Sequence, residues 1–582
     1  MTGHFTPREI GTEGPVAPQD PAVKRRGLYI LYETMIEATI RPDGKYTQEI
    51  YLDGSQLVDK ARFTGGVTDE AILELLKSSS GLRRLVDCIG ISVHAHERDV
   101  SSALFTFWNW GKAKANPYET GSRLSIPCPT DGTETLLVLD DDEGRYPDDD
   151  VPGKFVFEFE RGGVLATASI VFYLRDGYQV PEAADDPPVD VESQAYKEMI
   201  KKSLISPGHN KRLKSAIEKA KRGEPVTIAY IGGSITQGAG AVPLHSQCYA
   251  YQSYDLFKRR FAPAADCPIR LVKAGVGGTP SELGIVRYDR DVLREGEVRP
   301  DIVIIEFAVN DAGDETKGNC YESLVLKALR ADHKPAVILL FSVFVNDWNL
   351  QDRLAPVGWH YNLPMVSVKD AVTDQFRWTK EQGNVITKRQ FFYDIYHPTN
   401  AGHRVMADCL DWLFEVTDRS SIDEEDLTYV QPPLIGNDFA LTQLLDRRNG
   451  DRIARIDPGG FSDTDMDLQM AELDDHAYGT PQFPNNWMHT ADSGEHSFKM
   501  TIRSMSLILV YKDSGSREFG TAKIWVDGKL KKTADPHDVN WTHCSAVILY
   551  NESKSEEHAV EIKMAEGRED KRFTILGFGY VP

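Results

Sequence analysis

Apolar residues along this chain follow two rhythms. In its middle they come as short unbroken runs: Val226–Ile231, Arg270–Val272, Asp301–Phe307, Ala336–Phe344 and Met365–Val368. Runs of this kind, rich in β-branched residues, suit strands covered on both faces. Amphipathic stretches such as Tyr251–Phe261 separate them, and a helical pattern over Ala401–Val416 follows the last. Strands alternating with helices predict βαβ units, a parallel sheet and a three-layer α/β/α sandwich. Towards both ends the pattern changes to alternation. KFVFEFERGGVLATASIVFYL, from Lys154, places Phe155, Phe157 and Phe159 on one face before a Gly-Gly turn. ATIRPDGKYTQEIYLDG, from Ala38, wraps strands around a Pro-Asp-Gly turn. SMSLILVYK sets Met505, Leu507, Leu509 and Tyr511 on one face, and KIWVDGKLKKT offers an Asp-Gly hairpin. Both flanks therefore read as β-sandwich or jelly-roll domains, the first with one helical interruption at Asp69–Lys77.

Polar segments divide these regions. Pro181–Ser193 is rich in Pro and Asp and poor in large apolar residues, and Asp418–Asp426 is acidic. The expected organisation is a leader over residues 1–25, an N-terminal β domain over 26–180, an α/β domain over 195–420 and a C-terminal β domain over 427–582.

Chemistry concentrates in the middle region. The strand Val226–Ile231 runs into Gly232-Gly233-Ser234, which presents Ser234 at the carboxyl end of a strand, where open α/β sheets bind ligands. A serine there is a helix N-cap or a nucleophile. KAGVGGT, Lys273 to Thr279, follows a strand with glycines whose N–H groups are free to meet an oxyanion. Asn310, after the apolar strand Asp301–Phe307, adds a side-chain amide donor. Asp394 and His397, three residues apart before a helix start, supply a carboxylate and a base. The alternative for His397 is a structural histidine capping that helix, and a backbone carbonyl could take the orienting place of Asp394. Together these groups are what acyl transfer through serine needs.

The four blocks resemble the signature blocks of the SGNH (GDSL-like) hydrolases: GGSIT, KAGVGGT, Ala308-Val309-Asn310-Asp311 and Asp394-Ile395-Tyr396-His397. The resemblance spans roughly residues 195–420. It implies an SGNH, flavodoxin-like α/β/α catalytic domain with catalytic Ser234, Asp394 and His397. It also implies an oxyanion hole from the N–H groups of Ser234 and Gly278 and the side chain of Asn310, with Gly277 the neighbour that could be confused with Gly278. Two positions depart from the pattern: Lys273 stands for the usual Asn, and Ala308 for the usual Gly. β-Sandwich flanks commonly accompany the carbohydrate acetylesterases of this type, where they bind sugars or shape the cleft. No Gly-x-Ser-x-Gly elbow occurs, which disfavours an α/β-hydrolase.

Composition narrows the setting. With 582 residues the chain exceeds one core, and 41% hydrophobic residues is ordinary globular material. A formal charge of -22 argues against nucleic acid and anionic membrane surfaces as partners. No apolar run approaches a membrane span, and the first residues lack a signal peptide's apolar core, so a cytoplasmic location is expected. Seven scattered cysteines suit reduced core thiols. No cofactor and no metal site are expected. His94 and His96 share a strand face without a visible third ligand, and the acidic runs Asp140–Glu143 and Asp148–Asp150 lack calcium-loop spacing. Trp108 and Trp110 would share one strand face opposite Phe105 and Phe107, as core or as a sugar-stacking surface. Asp347 and Trp348, beyond the Ala336–Phe344 strand, are candidate substrate contacts or loop packing. The expected partner is an acetylated oligosaccharide of xylo or manno type. An esterase or thioesterase for lipid-like or acyl-CoA substrates, and a non-catalytic sugar binder, are the alternatives. The sequence leaves the oligomeric state open.

Overall fold

The computed structural model describes residues 27–582 except 42, 114–116, 141–142, 182–184, 475, 477–478, 495 and 540; the expected leader lies outside the described residues. The chain forms two compact units. One comprises the chain up to Val191 with Gly240–Pro243 and Gln375–Gly402; the other comprises Glu192–Ala239, Leu244–Asp374 and His403–Pro582.

Among its described residues the first unit has the strands β1 (Gly27–Glu37), β2 (Thr39–Ile40), β3 (Tyr46–Tyr51), β4 (Val86–Ala95), β5 (Ser102–Gly111), β6 (Arg123–Pro129), β7 (Thr135–Val138), β8 (Asp149–Phe159) and β9 (Leu165–Leu174). They form two antiparallel sheets, β1-β9-β4-β7 and β2-β3-β8-β5-β6. The inward series of each sheet makes one core, in which Phe105, Phe107, Phe155, Phe157 and Phe172 are completely buried. Alternation therefore did its expected work. The helical insertion is larger than expected. Gln56–Phe63, Glu70–Leu75 and Ser79–Leu85 are all helical, the last two started by Asp69 and Ser78 accepting from Ala71 N and Gly81 N. Short helices with buried polar residues such as Lys60 carry too little periodicity to be read from sequence.

The segment Gln375–Gly402 belongs to this unit although in sequence it lies inside the 195–420 block. Its tie is polar: Asp186, 9% exposed, accepts from Arg389 Nε at 2.6 Å and Thr387 Oγ1 at 2.9 Å. The stretch of linker composition is thus anchored through the buried carboxylate of Asp186.

In the second unit six strands, β10 (Leu204–Ser206), β11 (Val226–Gly232), β12 (Ile269–Gly275), β13 (Ile302–Glu306), β14 (Ala336–Phe341) and β15 (Met365–Ser367), form a sheet of order β10-β15-β14-β13-β11-β12. All neighbours are parallel except the antiparallel edge strand β10. The order reverses at β11, so the connections leaving β11 and β13 diverge and open a crevice at the strands' carboxyl ends.

The same unit continues into β16 (Gln443–Leu445), β17 (Arg455–Asp457), β18 (Met470–Ala471), β19 (Thr480–Pro481), β20 (Trp487–His489), β21 (Phe498–Asp513), β22 (Ala522–Val526), β23 (Lys529–Ala534), β24 (His543–Met564) and β25 (Phe573–Val581). Eight of these make one antiparallel sheet around β16-β25-β21-β24-β22-β23, with β18 and β19 paired apart. The Asp527-Gly528 hairpin has φ of 51° and 75°, the double positive φ of a type I′ turn. From Ser506 onward the central strand β21 is buried on both faces. Leu507, Leu509 and Tyr511 join the core of this β region, whereas Ile508 and Val510 join the core of the α/β sheet beside Leu283 and Val286. Among the described residues no helix is long and apolar enough to cross a membrane. All seven cysteines are free thiols, buried except for the half-buried Cys267.

Candidate active site

Three neighbouring strands deliver three candidate groups. β11 ends at Gly232, and Gly233 turns the chain into a single helical turn, Ser234–Gln237. Gly233 occupies the N-cap position, so Ser234 is the first helical residue and the capping role is not its own. The turn is tight. A Cβ on Gly233 would fall 2.3 Å from Asn310 Oδ1, so only glycine lets that carboxamide lie against the turn that carries Ser234. Below it, the buried Thr236 hydroxyl donates to Glu306 at 3.2 Å and lies 2.8 Å from Tyr249 Oη, and Ser342 also donates to Glu306. Burial pushes the Glu306 carboxyl up to about 7, against the lowering effect of the two hydroxyls. The fully buried Arg287 donates to the carbonyls of Gly232 (2.8 Å) and Ala274 (2.7 Å), fixing the ends of β11 and β12 together.

Past β12 the loop Val276–Thr279 carries Gly278 at φ +69°, a left-handed conformation that favours glycine. A Cβ on Gly277 would sit 3.9 Å from Ser234 Cβ, so the glycine pair borders the serine. Beyond β13, Asn310 is followed by Asp311, which is buried and accepts from Ser281 N and Ser281 Oγ at 2.8 Å each. The two departures from the family pattern have defined structural roles. Lys273 is fully buried, with its ammonium donating to Gln237 O at 2.8 Å. Ala308, also buried, accepts from Leu350 N at 2.8 Å.

The other pair forms within the first unit. His397 Nδ1 lies 2.8 Å from Asp394 Oδ2, while Asp394 Oδ1 accepts from the backbone N–H groups of Tyr396 and His397 at 2.8 Å each. A carboxylate therefore orients the imidazole, leaving no need for a backbone carbonyl at Nδ1. Burial would raise the Asp394 pKa, but His397, then Lys60 and the Tyr396 N–H, hold it down at about 2. The helix Asn400–Arg419 is capped by Thr399, whose hydroxyl accepts from Gly402 N at 3.2 Å, so His397 is not its cap. Lys60, 3% exposed, donates to Tyr393 O at 3.3 Å and sits 5.1 Å from the Tyr393 ring centroid. Gly240, six residues along the chain from Ser234, packs so that a Cβ there would fall 3.2 Å from His397 Cβ.

Asp347 and Trp348 form a turn after β14, with Asp347 at φ +64°, Asp347 N donating to Phe344 O at 2.9 Å and the Phe344 and Trp348 rings stacked at 5.8 Å. Trp108 and Trp110 lie together on β5, with ring centroids 5.6 Å apart, as their shared strand face predicts. The Trp108 ring is covered by the Arg123 guanidinium at 3.6 Å and the Lys154 ammonium at 4.5 Å, and Trp110 is 6% exposed. Cations already occupy the face a sugar would use. His94 and His96 lie exposed with ring centroids 6.3 Å apart. Within the acidic run Asp140–Glu143, positions 141–142 lie outside the described residues.

Sequence reasoning missed the groups that reach the glycine loop from the carboxyl-terminal sheet region. Gln469 donates to Gly277 O at 2.8 Å, His543 Nε2 lies 3.1 Å from Gly278 O, and the 44% exposed Trp541 flanks Gly278. No local pattern marks them, because their partners lie about 200 residues or more away. Lys60 was missed for the same reason.

Residues 230–405 match the family model of the GDSL-like lipase/acylhydrolase family. A solved two-domain esterase active on acetylated mannans is 27% identical over 66% of this chain and 99% of its own, with a TM-score of 0.56. A second structure of a two-domain esterase so described, co-crystallised with mannopentaose, is 27% identical over 66% of this chain and 98% of its own, with a TM-score of 0.55. No curated protein sequence gives a significant match.

Proposed function

We propose that this chain, whose residues 230–405 belong to the GDSL-like lipase/acylhydrolase family, is a serine esterase that removes O-acetyl groups from manno- or xylo-type oligosaccharides. The observation that carries the reading is the delivery of Ser234, Gly278 and Asn310 by the ends of three adjacent strands, together with the Asp394–His397 couple. Likeness to an esterase active on acetylated mannans supports the choice of substrate.

In this reading Ser234 Oγ attacks the acetyl carbonyl carbon while neutral His397 takes the hydroxyl proton. Asp394 holds the imidazole tautomer and stabilises the imidazolium. The N–H groups of Ser234 and Gly278 and the Asn310 amide meet the oxyanion, each donor contributing about 2.7–4 kcal/mol to the transition state. Collapse of the tetrahedral intermediate passes the proton from His397 to the departing sugar oxygen. Water then attacks the acetyl-enzyme with His397 again as base, releasing acetate and restoring Ser234.

The test is acetate release from acetylated manno- and xylo-oligosaccharides by the full chain and by Ser234→Ala. The variant is expected to keep its fold and lose essentially all turnover; retention of more than about 1% of wild-type activity would remove Ser234 from its role. A series of p-nitrophenyl esters separates the lipid-like alternative. Acetyl should be preferred, with a graded fall of about 1–3 kcal/mol per added methylene, whereas a preference for octanoyl would favour the lipid reading.

A further inference from the structure

We propose that Gln469 is a positioning residue for the transition state: by holding the Gly277 carbonyl it aims the Gly278 N–H at the developing oxyanion. The proposal rests on the esterase reading above and adds to it a residue from the carboxyl-terminal region.

The reasoning starts from the peptide unit. In a trans peptide the C=O of one residue and the N–H of the next share a plane and point in opposite directions. The carbonyl of Gly277 and the N–H of Gly278 are the two ends of one such plane. Whatever fixes the first fixes the second. Two consecutive glycines are the least self-restraining pair a chain can offer, and Gly278 already sits at φ +69°. Left to itself, this peptide would sample orientations in which its N–H faces away from the substrate. An oxyanion hole acts through donors oriented before the reaction begins.

The restraint is external and specific. Gln469 Nε2 donates to Gly277 O at 2.8 Å, and Gln469 Oε1 accepts from Cys544 N at 2.9 Å. Both partners are backbone groups of fixed polarity, so the orientation of the carboxamide is determined. The side chain is well shielded, with the residue 6% exposed. Its support is rigid. Cys544 lies in β24 opposite Lys512 of β21, and Gln469 O accepts from Gln482 N at 2.8 Å. On the far side of Gly278, His543 Nε2 lies 3.1 Å from Gly278 O, and its Nδ1 lies 3.1 Å from Asp513 Oδ2. Both peptides flanking the Gly278 α-carbon are therefore held by side chains tied to β24, His543 as its first residue and Gln469 through its bond to Cys544 N, and the peptide held by Gln469 is the donor's own.

The experiment compares wild type, Gln469→Ala and Gln469→Glu in the full chain with p-nitrophenyl acetate, a substrate too small to need sugar contacts. Rates are expressed per reactive serine, counted by titration to completion with a fluorophosphonate. Loss of a whole oxyanion donor costs about 10²–10³-fold in kcat. A donor that is present but misdirected should cost about 10–100-fold, with KM nearly unchanged. Inhibition by phenylboronic acid, which forms a tetrahedral adduct on serine, should weaken by the same factor as kcat/KM. The Gln469→Glu variant keeps the side chain's volume and can still accept from Cys544 N, but its carboxylate cannot donate to Gly277 O. It therefore carries the test if the alanine variant fails to fold. A folded, fully titratable variant with wild-type kcat overturns the proposal. Activity surviving in Ser234→Ala would instead overturn the esterase reading, so the two failures are distinguishable.

Discussion

Asp394 shows how much one side chain can be asked to do. Its two oxygens accept three hydrogen bonds within four residues, and the charge they stabilise keeps its pKa near 2. Replacing it with alanine removes the imidazole's orienting partner and its counter-charge together. The expected result is a fall of about 10³–10⁴-fold in kcat with little change in KM; steady-state kinetics on Asp394→Ala against wild type checks it, and near-normal activity would reduce the triad to a Ser234–His397 dyad. Glu306 is the opposite case, a carboxyl whose pKa is raised to about 7 by burial. Such an acid holds its proton in the folded state when the unfolded chain has released it. Its contribution to stability is therefore full below about pH 4.5, the unfolded value, and is lost as pH rises towards about 7. Glu306→Gln should flatten the decline of melting temperature across that window, measured by calorimetry at several pH values. An unchanged slope would mean that Glu306 is ionised in the folded protein throughout.

At the scale of elements, what matters is how ends are held. The helix Ser281–Asp291 starts at a proline and has no cap from its own segment. Asp311 supplies one from the end of the neighbouring strand, accepting the Ser281 N–H and hydroxyl. The residue beside Asn310, the proposed oxyanion donor, is thereby also the cap of the helix that carries Arg287. Asp311→Ala leaves buried donors unpaired and should cost about 1–3 kcal/mol of stability, read as a lowered denaturant midpoint, together with a loss of kcat as Asn310 loosens. A variant with unaltered midpoint would show that water replaces the carboxylate. The strands of the parallel sheet were legible because unbroken apolar runs have few other uses. The helices Gln56–Phe63 and Ser79–Leu85 were not, since their polar residues Lys60 and Arg83 are buried by partners outside the helix.

At the scale of the whole chain, the second unit puts the α/β sheet and the carboxyl-terminal sheet into one core. Ile508, Val510, Cys544 and Leu576 pack in the same cluster as Leu283, Val286 and Phe307. The acidic stretch that reads as a boundary is tied down as well. Asp426 pairs with Arg212 at 2.9 Å, which holds its carboxyl well below the usual range, and Asn210 N donates to Asp423 at 2.8 Å. A chain ended after Asp426 would expose apolar side chains worth about 1.5–3 kcal/mol each when buried. It is expected to aggregate or bind ANS without a cooperative thermal transition. A truncated protein that melts cooperatively would show that the α/β sheet folds without its partner.

Local sequence determined those features whose cause is local. Period-two alternation set the strands of the flanks, uncharged runs set the parallel sheet, and glycines placed Ser234 and Gly278 at strand ends where backbone turns sharply. The Asp394–His397 spacing suffices for their hydrogen bond, because three residues of one turn bring them together. Tertiary structure decided everything that depends on a partner distant in sequence. Only the fold pairs Lys60 with the Asp394 loop, gives β21 a second buried face at Ile508 and Val510, covers Trp108 with Arg123 and Lys154, and brings Gln469 to the Gly277 carbonyl. The physical reason is the same in each case. A side chain's type records what it can bond to or pack against, but long-range packing selects which group it meets.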